Sequence, residues 1–316
     1  VVAFGGGHGL AASLGALRFL SQNLTAIVTV ADDGGSSGRL REEFGVLPPG
    51  DLRMALSALC DDTEWGRTWR DVLQHRFHTS GPLNRHSVGN LLIVALWELL
   101  GDPVDGLDWV GRLLGARGRV LPMAAVPLEI EADVVPEGGG EEPVLVRGQS
   151  RVAVAGGHIR EVRLRPADPP ARPEAVEAIL DADWVVLGPG SWYTSVIPHL
   201  LVPEISTALH ETPARRALTL NLCPQVGETA GYSAEDHLDV VAAHAPDLRF
   251  DVVLADPVAV GDVDRLASAA AALGARVLLR QVRAGADRAR HDPLRLAAAY
   301  RDAFESFLGD VGTVAG

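Results

Sequence analysis

The run Ala31-Asp32-Asp33-Gly34-Gly35-Ser36-Ser37-Gly38-Arg39-Leu40-Arg41 concentrates more chemistry than any other stretch of the chain. Carboxylates, glycines, hydroxyls and guanidinium groups follow an apolar segment, residues 24–30, that reads as a buried strand. Such a set suits a polyanion and a metal ion, and it suits a core poorly because each polar group would need a partner. Asp32 and Asp33 stand about twenty residues or more beyond a first glycine cluster, where the acidic residue of a dinucleotide fold meets a ribose. They could bind hydroxyls or hold Mg²⁺ through one or two carboxylates; the plain alternative is an Asx-turn ending the strand. Gly35, Ser36 and Ser37 are more special residues than a mere turn needs. Arg39 and Arg41 could face a phosphate or simply be solvated charge at a helix start.

The first cluster, Gly5-Gly6-Gly7-His8-Gly9, follows a short apolar strand and opens a helical pattern. Gly6, Gly7 and Gly9 would let backbone N–H groups approach an anion, although the spacing is neither G-x-G-x-x-G nor a P-loop. A second glycine loop, Gly188-Pro189-Gly190-Ser191-Trp192-Tyr193-Thr194-Ser195, follows the apolar run 184–187. Gly188, Gly190, Ser191, Thr194 and Ser195 make an anion cradle; no G-x-S-x-G elbow marks Ser195 as a nucleophile. Asp51, in Pro49-Gly50-Asp51-Leu52-Arg53, reads either as a helix N-cap or as a metal ligand or base beside Asp32 and Asp33. Three such carboxylates would need a cation or a raised pKa. His86 and Asn90 lie about one helical turn apart, Ser87 being a cap candidate, and can face a ligand at the positive end of a helix. Asn221 and Gln225 could hydrogen-bond a base or sugar. Arg290 is the one functional candidate before the final helix.

Composition removes several chemistries. The 316 residues carry a net charge of −13, which argues against a nucleic-acid partner. All 28 basic residues are arginine, so Schiff-base and Walker-A lysines are excluded. Cys60 and Cys223 are far apart and form no metal or redox spacing. No leader is visible and the most apolar helix, near 88–100, is too short for a membrane span. A cytoplasmic protein is expected.

The elements needed to position these groups follow from periodicity. Residues 1–30 read as strand, glycine loop, helix, strand, the opening of a doubly wound α/β sheet. Residues 51–117 read as a helical insertion. Residues 119–165 read as a small β-rich insertion, with strands expected at 126–130, 144–146, 152–154 and 162–164 and glycine punctuation at 138–140. Strands then return at 184–187, 217–222, 250–255 and 276–279, with helices at 234–244, 263–273 and 293–308. The whole is expected to be a single α/β domain carrying two insertions.

Taken in order, Gly5–Gly9, Ala31–Arg41, Pro49–Arg53, His86–Asn90, Gly188–Ser195 and Gly227-Glu228-Thr229 resemble the YvcK-type gluconeogenesis-factor family, also described as uridine-diphosphate-N-acetylglucosamine-binding proteins. A more distant relative is 2-phospho-lactate transferase. The resemblance implies a Rossmann-like fold, a nucleotide-sugar ligand and a regulatory role in cell shape and envelope synthesis under gluconeogenic growth, with no established reaction. It places Asp51 at an acceptor and metal site if the protein is a transferase, with Asp32, Asp33 and Asp51 as the candidate Mg²⁺ ligands. It puts His86 and Asn90 nearby, and assigns Arg290 to the nucleotide sugar. A homodimer and a regulatory protein partner are further expectations. His8 and Cys223-Pro224 depart from the usual Thr and Met-Thr of that pattern. A Mg²⁺-dependent transferase is the alternative function; a nicotinamide oxidoreductase is the weakest, since no hydride-transfer constellation is present.

Overall fold

The computed structural model describes residues 1–138, 142–285 and 289–306. Its centre is a parallel sheet of seven strands in the order β10-β9-β8-β7-β1-β2-β3. These are β1 (Val2–Gly5), β2 (Thr25–Val28), β3 (Arg119–Pro122), β7 (Trp184–Leu187), β8 (Arg215–Thr219), β9 (Val252–Ala255) and β10 (Arg276–Leu279). The central strands β1, β7 and β9 are buried at every position, as expected of parallel strands covered on both faces. A smaller antiparallel sheet, β5-β4-β6, comprises β4 (Glu129–Val135), β5 (Val144–Arg147) and β6 (His158–Arg165).

The chain runs from β1 outward to β2 and β3, then returns to lay β7 against the other side of β1. The strand order therefore reverses at β1/β7, and crevices for ligands form beyond the carboxyl ends of strands at such a point. Helix α1 (Gly7–Leu17) fills the first crossover and packs between α3 (Pro49–Leu59) and α13 (Pro293–Glu305). A chain of packed helices, α8 (Pro173–Leu180), α10 (Pro203–Glu211), α9 (Ile197–Leu200), α11 (Ala234–His244) and α12 (Val263–Ala272), serves the remaining crossovers. Right-handed crossovers put this group on the face opposite α1 and α3.

Between β2 and β3 lie α2 (Gly35–Phe44), α3, α4 (Glu64–Gln74), α5 (Val88–Leu100) and α6 (Pro103–Leu114). The expected helical insertion is present and begins at Pro49. Its apolar side is continuous with the sheet: Leu52, Leu56 and Leu59 of α3 share one core with Leu14 and Leu17 of α1.

Two expectations for the β-rich insertion need correction. Arg119–Pro122 is not part of it but pairs in parallel with β2, as the edge of the main sheet; the small sheet starts only at Glu129. Residues 152–154 form no strand. Gly148, at φ +93°, turns the chain into a short helix α7 (Gln149–Val152), whose Val152 alone is buried. Gly139 and Gly140 of the glycine run, and residues 307–308 of the last helix, lie outside the described residues. No helix among the described residues is long and apolar enough to cross a membrane.

Candidate functional site

Every glycine loop singled out by its composition follows the carboxyl end of a strand of the main sheet. Gly6 follows β1 and stands at the start of α1 in extended conformation (φ −157°) with no side-chain cap. The first-turn N–H groups of α1 are thus left to other partners, and the Asp51 carboxylate takes one, from Gly7. The loop after β7 comes to meet α1: a Cβ on Gly9 would lie 2.2 Å from the Pro189 carbonyl oxygen and 2.5 Å from Gly190 Cα. Only hydrogen can occupy that position. Asn221, beyond β8, clamps the same loop, accepting from Gly190 N at 2.9 Å and donating from Nδ2 to Gly190 O at 2.8 Å. Behind the loop, Ser13 Oγ of α1 donates to Gly188 O at 2.9 Å and lies 2.9 Å from Tyr300 Oη, which is 3.0 Å from Thr219 Oγ1.

Asp51 and Asp32 approach from the other side. Asp51 lies inside the first turn of α3, whose N-cap is Pro48, so it does not cap its helix. A Cβ on Gly6 would lie 2.5 Å from Asp51 Oδ2, 2.6 Å from Thr29 Cγ2 and 3.3 Å from Ser195 Oγ; one on Gly50 would lie 2.2 Å from Ser37 Oγ and 3.0 Å from Asp32 Oδ2. Gly6, Gly7, Ser37, Asp32, Asp51 and Ser195 are therefore brought together. Together with Gly35 and Ser36, Asp32 and Asp51 line a cleft of ≈ 450 Å³. Burial, and next the charge of Asp32, push the Asp51 carboxyl up to about 7. Burial raises Asp32 as well.

The helical insertion supplies a polar wall. Arg53, 2% exposed, donates from Nε to Asn90 Oδ1 at 2.8 Å and also bonds the Gln74 side chain. Asn90 Nδ2 donates to Ser36 Oγ at 3.1 Å, and His86 Nδ1 lies 3.1 Å from the same oxygen. His86 is buried, and burial, then the Arg39 charge, lowers its pKa. Ser87 occupies the N-cap position of α5, but its hydroxyl donates to Leu73 O instead of capping.

Other expected residues are placed elsewhere. Asp33 turns to α7, accepting from Ser150 N at 2.8 Å, so three carboxylates do not converge. Arg39 donates to the carbonyls of Pro82 and Asn84 at 3.0 and 2.8 Å and is spent on holding that loop. Thr194 Oγ1 donates to Glu228 Oε1 at 2.6 Å, beneath the loop surface. Gln225 Nε2 donates to Ser191 Oγ at 3.2 Å, closing the rim past Asn221. Arg290 follows β10, its carbonyl accepting from Ala284 N, with β9, β8 and β7 between that strand and β1. Arg76 and Thr29 were not singled out from the sequence, and Gly50 and Arg53 stand in the Pro49–Arg53 motif with no role of their own assigned there. Gly50 carries a readable signal, a glycine just before an acidic residue; Arg53 shares that motif, but only packing shows that it is buried.

No group of three or more His, Cys, Asp or Glu among the described residues could hold a metal ion. The pair Asp32 and Asp51 nevertheless fits Mg²⁺, which takes one or two carboxylates and completes its shell with water and substrate phosphate. Asp32, whose charge helps to raise the Asp51 carboxyl, and Asp51 itself offer negative charge for a cation to neutralise. Thr29 Oγ1, buried beside them, has no hydrogen-bond partner.

The same residues locate the chain among known proteins. A family profile described as 2-phospho-L-lactate transferase CofD matches residues 1–291, which include every cleft residue above. The putative gluconeogenesis factor of Mycobacterium leprae (strain TN) is 54% identical over 305 residues, covering 95% of this chain and 84% of that protein. The gluconeogenesis factor of Bacillus subtilis (strain 168) is 39% identical over 244 residues, covering 77% and 74%. A crystal structure of a Bacillus halodurans protein matches with a TM-score of 0.85 and 36% identity, covering 94% of this chain and 97% of that one. With a family match across nearly its whole length and relatives of this name at such identity, the chain belongs to the CofD family, beside the gluconeogenesis factors.

Proposed function

We propose that this protein binds a nucleotide sugar, UDP-N-acetylglucosamine, and acts in the cytoplasm as a regulator of cell shape and envelope synthesis under gluconeogenic growth. One observation carries the binding: two glycine loops, distant in sequence, meet at the strand-order reversal, with Gly9 against Gly190. The diphosphate lies on the uncapped start of α1, where backbone N–H groups and the helix dipole favour an anion. Asn221 and Gln225 border the nucleoside, and the sugar hydroxyls face Asp32 and Asp51. The regulatory role draws on the name shared by the relatives; a regulatory protein partner and a homodimer belong to the same proposal. Titration calorimetry with UDP-N-acetylglucosamine, with Mg²⁺ and then with chelator, tests it. Saturable binding that survives chelation, with the sugar nucleotide recovered intact, supports the reading; absence of binding under both conditions overturns it.

The Asp51 carboxyl favours a second reading, a Mg²⁺-dependent transferase of the phospho-lactate type. A carboxyl held near neutral pH can take a proton from an acceptor hydroxyl. The hydroxyl oxygen then attacks phosphorus of a nucleotide-linked donor, and the bond to the departing nucleoside monophosphate breaks. A bound Mg²⁺ would neutralise charge on the transferring group. Product that forms with the wild type and vanishes with Asp51→Asn would establish this reading in place of binding alone.

A further inference from the structure

A second cleft opens beside the first, and it is lined by arginines with no carboxylate among them. It is the larger of the two, ≈ 750 Å³, and lies where α1, α3 and α4 meet. Arg18, Arg53, Arg70 and Arg76 line it with His8 and Gln74. The two clefts share Arg53, Met54 and Arg76. One continuous surface thus runs from the carboxylates of Asp32 and Asp51 to a group of four guanidinium ions, in a chain whose net charge is −13.

Three of the four arginines are held without a tight carboxylate partner among the described residues. Arg53 spends its donors on the neutral side chains of Asn90 and Gln74. Arg76 donates to the Arg85 carbonyl at 3.0 Å. Neither Arg53 nor Arg76 forms an ion pair with a carboxylate among the described residues. Arg70 has only a loose pair with exposed Asp71, at 3.7 Å. Arg18 is tightly paired with Asp62 and is also fixed by the Cys60 carbonyl. Burial, followed by the Arg76 charge, draws the Arg53 pKa down to about 10. Crowding like charges in a partly buried cleft is unfavourable unless an anion fills it, and planar guanidinium groups match phosphate oxygens in pairs. The floor between the arginines is small and apolar, with Ala11 of α1 and Ala58 of α3, leaving room for the body of an organic molecule.

We infer that the arginine-lined cleft between α1, α3 and α4 is a second ligand site, which takes a small organic phosphate alongside the ligand of the glycine-loop cleft. Arg70 and Arg76 engage the phosphate from the rim, while Arg53 at the junction contacts both ligands. The two sites are coupled through Arg53, so occupancy of one is communicated to the other with no change of fold. The site stands on its own lining, whichever molecule fills the glycine-loop cleft.

Calorimetry of the full chain at about 0.15 M ionic strength, with inorganic pyrophosphate as probe, tests the inference. The wild type should bind pyrophosphate, and a site should persist when UDP-N-acetylglucosamine is saturating. Arg70→Gln should weaken pyrophosphate binding by about tenfold, the loss of one charge-assisted hydrogen bond. Arg70→Glu should weaken it further, and both should leave the thermal transition in place, since Arg70 lies at the rim. Affinity for UDP-N-acetylglucosamine should not change in Arg70→Gln. Absence of pyrophosphate binding, equal affinity in wild type and both variants, or full displacement by UDP-N-acetylglucosamine would overturn the second site. If UDP-N-acetylglucosamine itself fails to bind, the proposed function falls, and the Arg70 variants still decide the second site.

Discussion

Asp51 shows how much one side chain's surroundings decide. Burial and the Asp32 charge carry its carboxyl from the ordinary 3.8 to about 7. Between these values the folded chain keeps a proton that the unfolded chain has released. Raising the pH through that window therefore costs the folded state stability, and the cost is complete above about 7. In chelator, the wild type should lose on the order of 1–2 kcal/mol more stability than Asp51→Asn between pH 5 and pH 8, a value reduced from the full shift because one side of the carboxyl opens to the cleft. Urea unfolding at a series of pH values measures the difference between the two curves. Parallel curves would mean that Asp51 titrates as an ordinary surface carboxylate. The same substitution should abolish turnover if the protein is a transferase.

Among the elements, the first turn of α1 and the loop after β7 form the closest approach. Gly9→Ala would drive a methyl group into the Pro189 carbonyl. Overpacking of this kind costs about 1–3 kcal/mol, so the melting temperature should fall by roughly 5 °C. The nucleotide-sugar affinity should fall with it, because the two loops part. Gly15→Ala, in the same helix, is the control. A Cβ there meets nothing within 4 Å, and alanine in a helix interior is favoured over glycine by about 1 kcal/mol. Its melting temperature should hold or rise; a fall matching that of Gly9→Ala would show that α1 tolerates no side chain at either glycine and would remove the case for a loop-specific contact.

At the scale of the molecule, the insertions are fastened to the sheet at several points. One hydrophobic core runs through α1, α3 and the strands. Tyr193 Oη donates to Ile159 O at 3.3 Å, tying β6 to the turn after β7, and Arg41 donates to Leu128 O at 2.6 Å beside the start of β4. We propose that the chain unfolds as one cooperative domain. Scanning calorimetry should give a single transition whose calorimetric and van't Hoff enthalpies agree. Two resolved transitions would assign the helical or the β-rich insertion to a separate unit.

Much of the architecture was legible in local pattern. Buried parallel strands carry unbroken apolar runs, and glycine and proline mark where those runs stop, so β1, β2, β7, β9 and β10 and the loops beyond them could be read directly. The strand Arg119–Pro122 is not among the strands that the pattern of residues 119–165 suggests, and its place beside β2 is set by pairing with a segment some ninety residues earlier, which local pattern does not record. Residue types likewise marked Gly6, Gly9, Asp32, Asp51 and Gly190 as chemical, since few other roles require those groups in such loops. Only the tertiary structure decided that Asp51 stands against Gly6 while Asp33 turns away, that Arg39 is spent on backbone carbonyls, and that Arg53 is buried between two clefts. Those outcomes depend on distances between segments tens to hundreds of residues apart, which chain packing sets and local spacing does not encode.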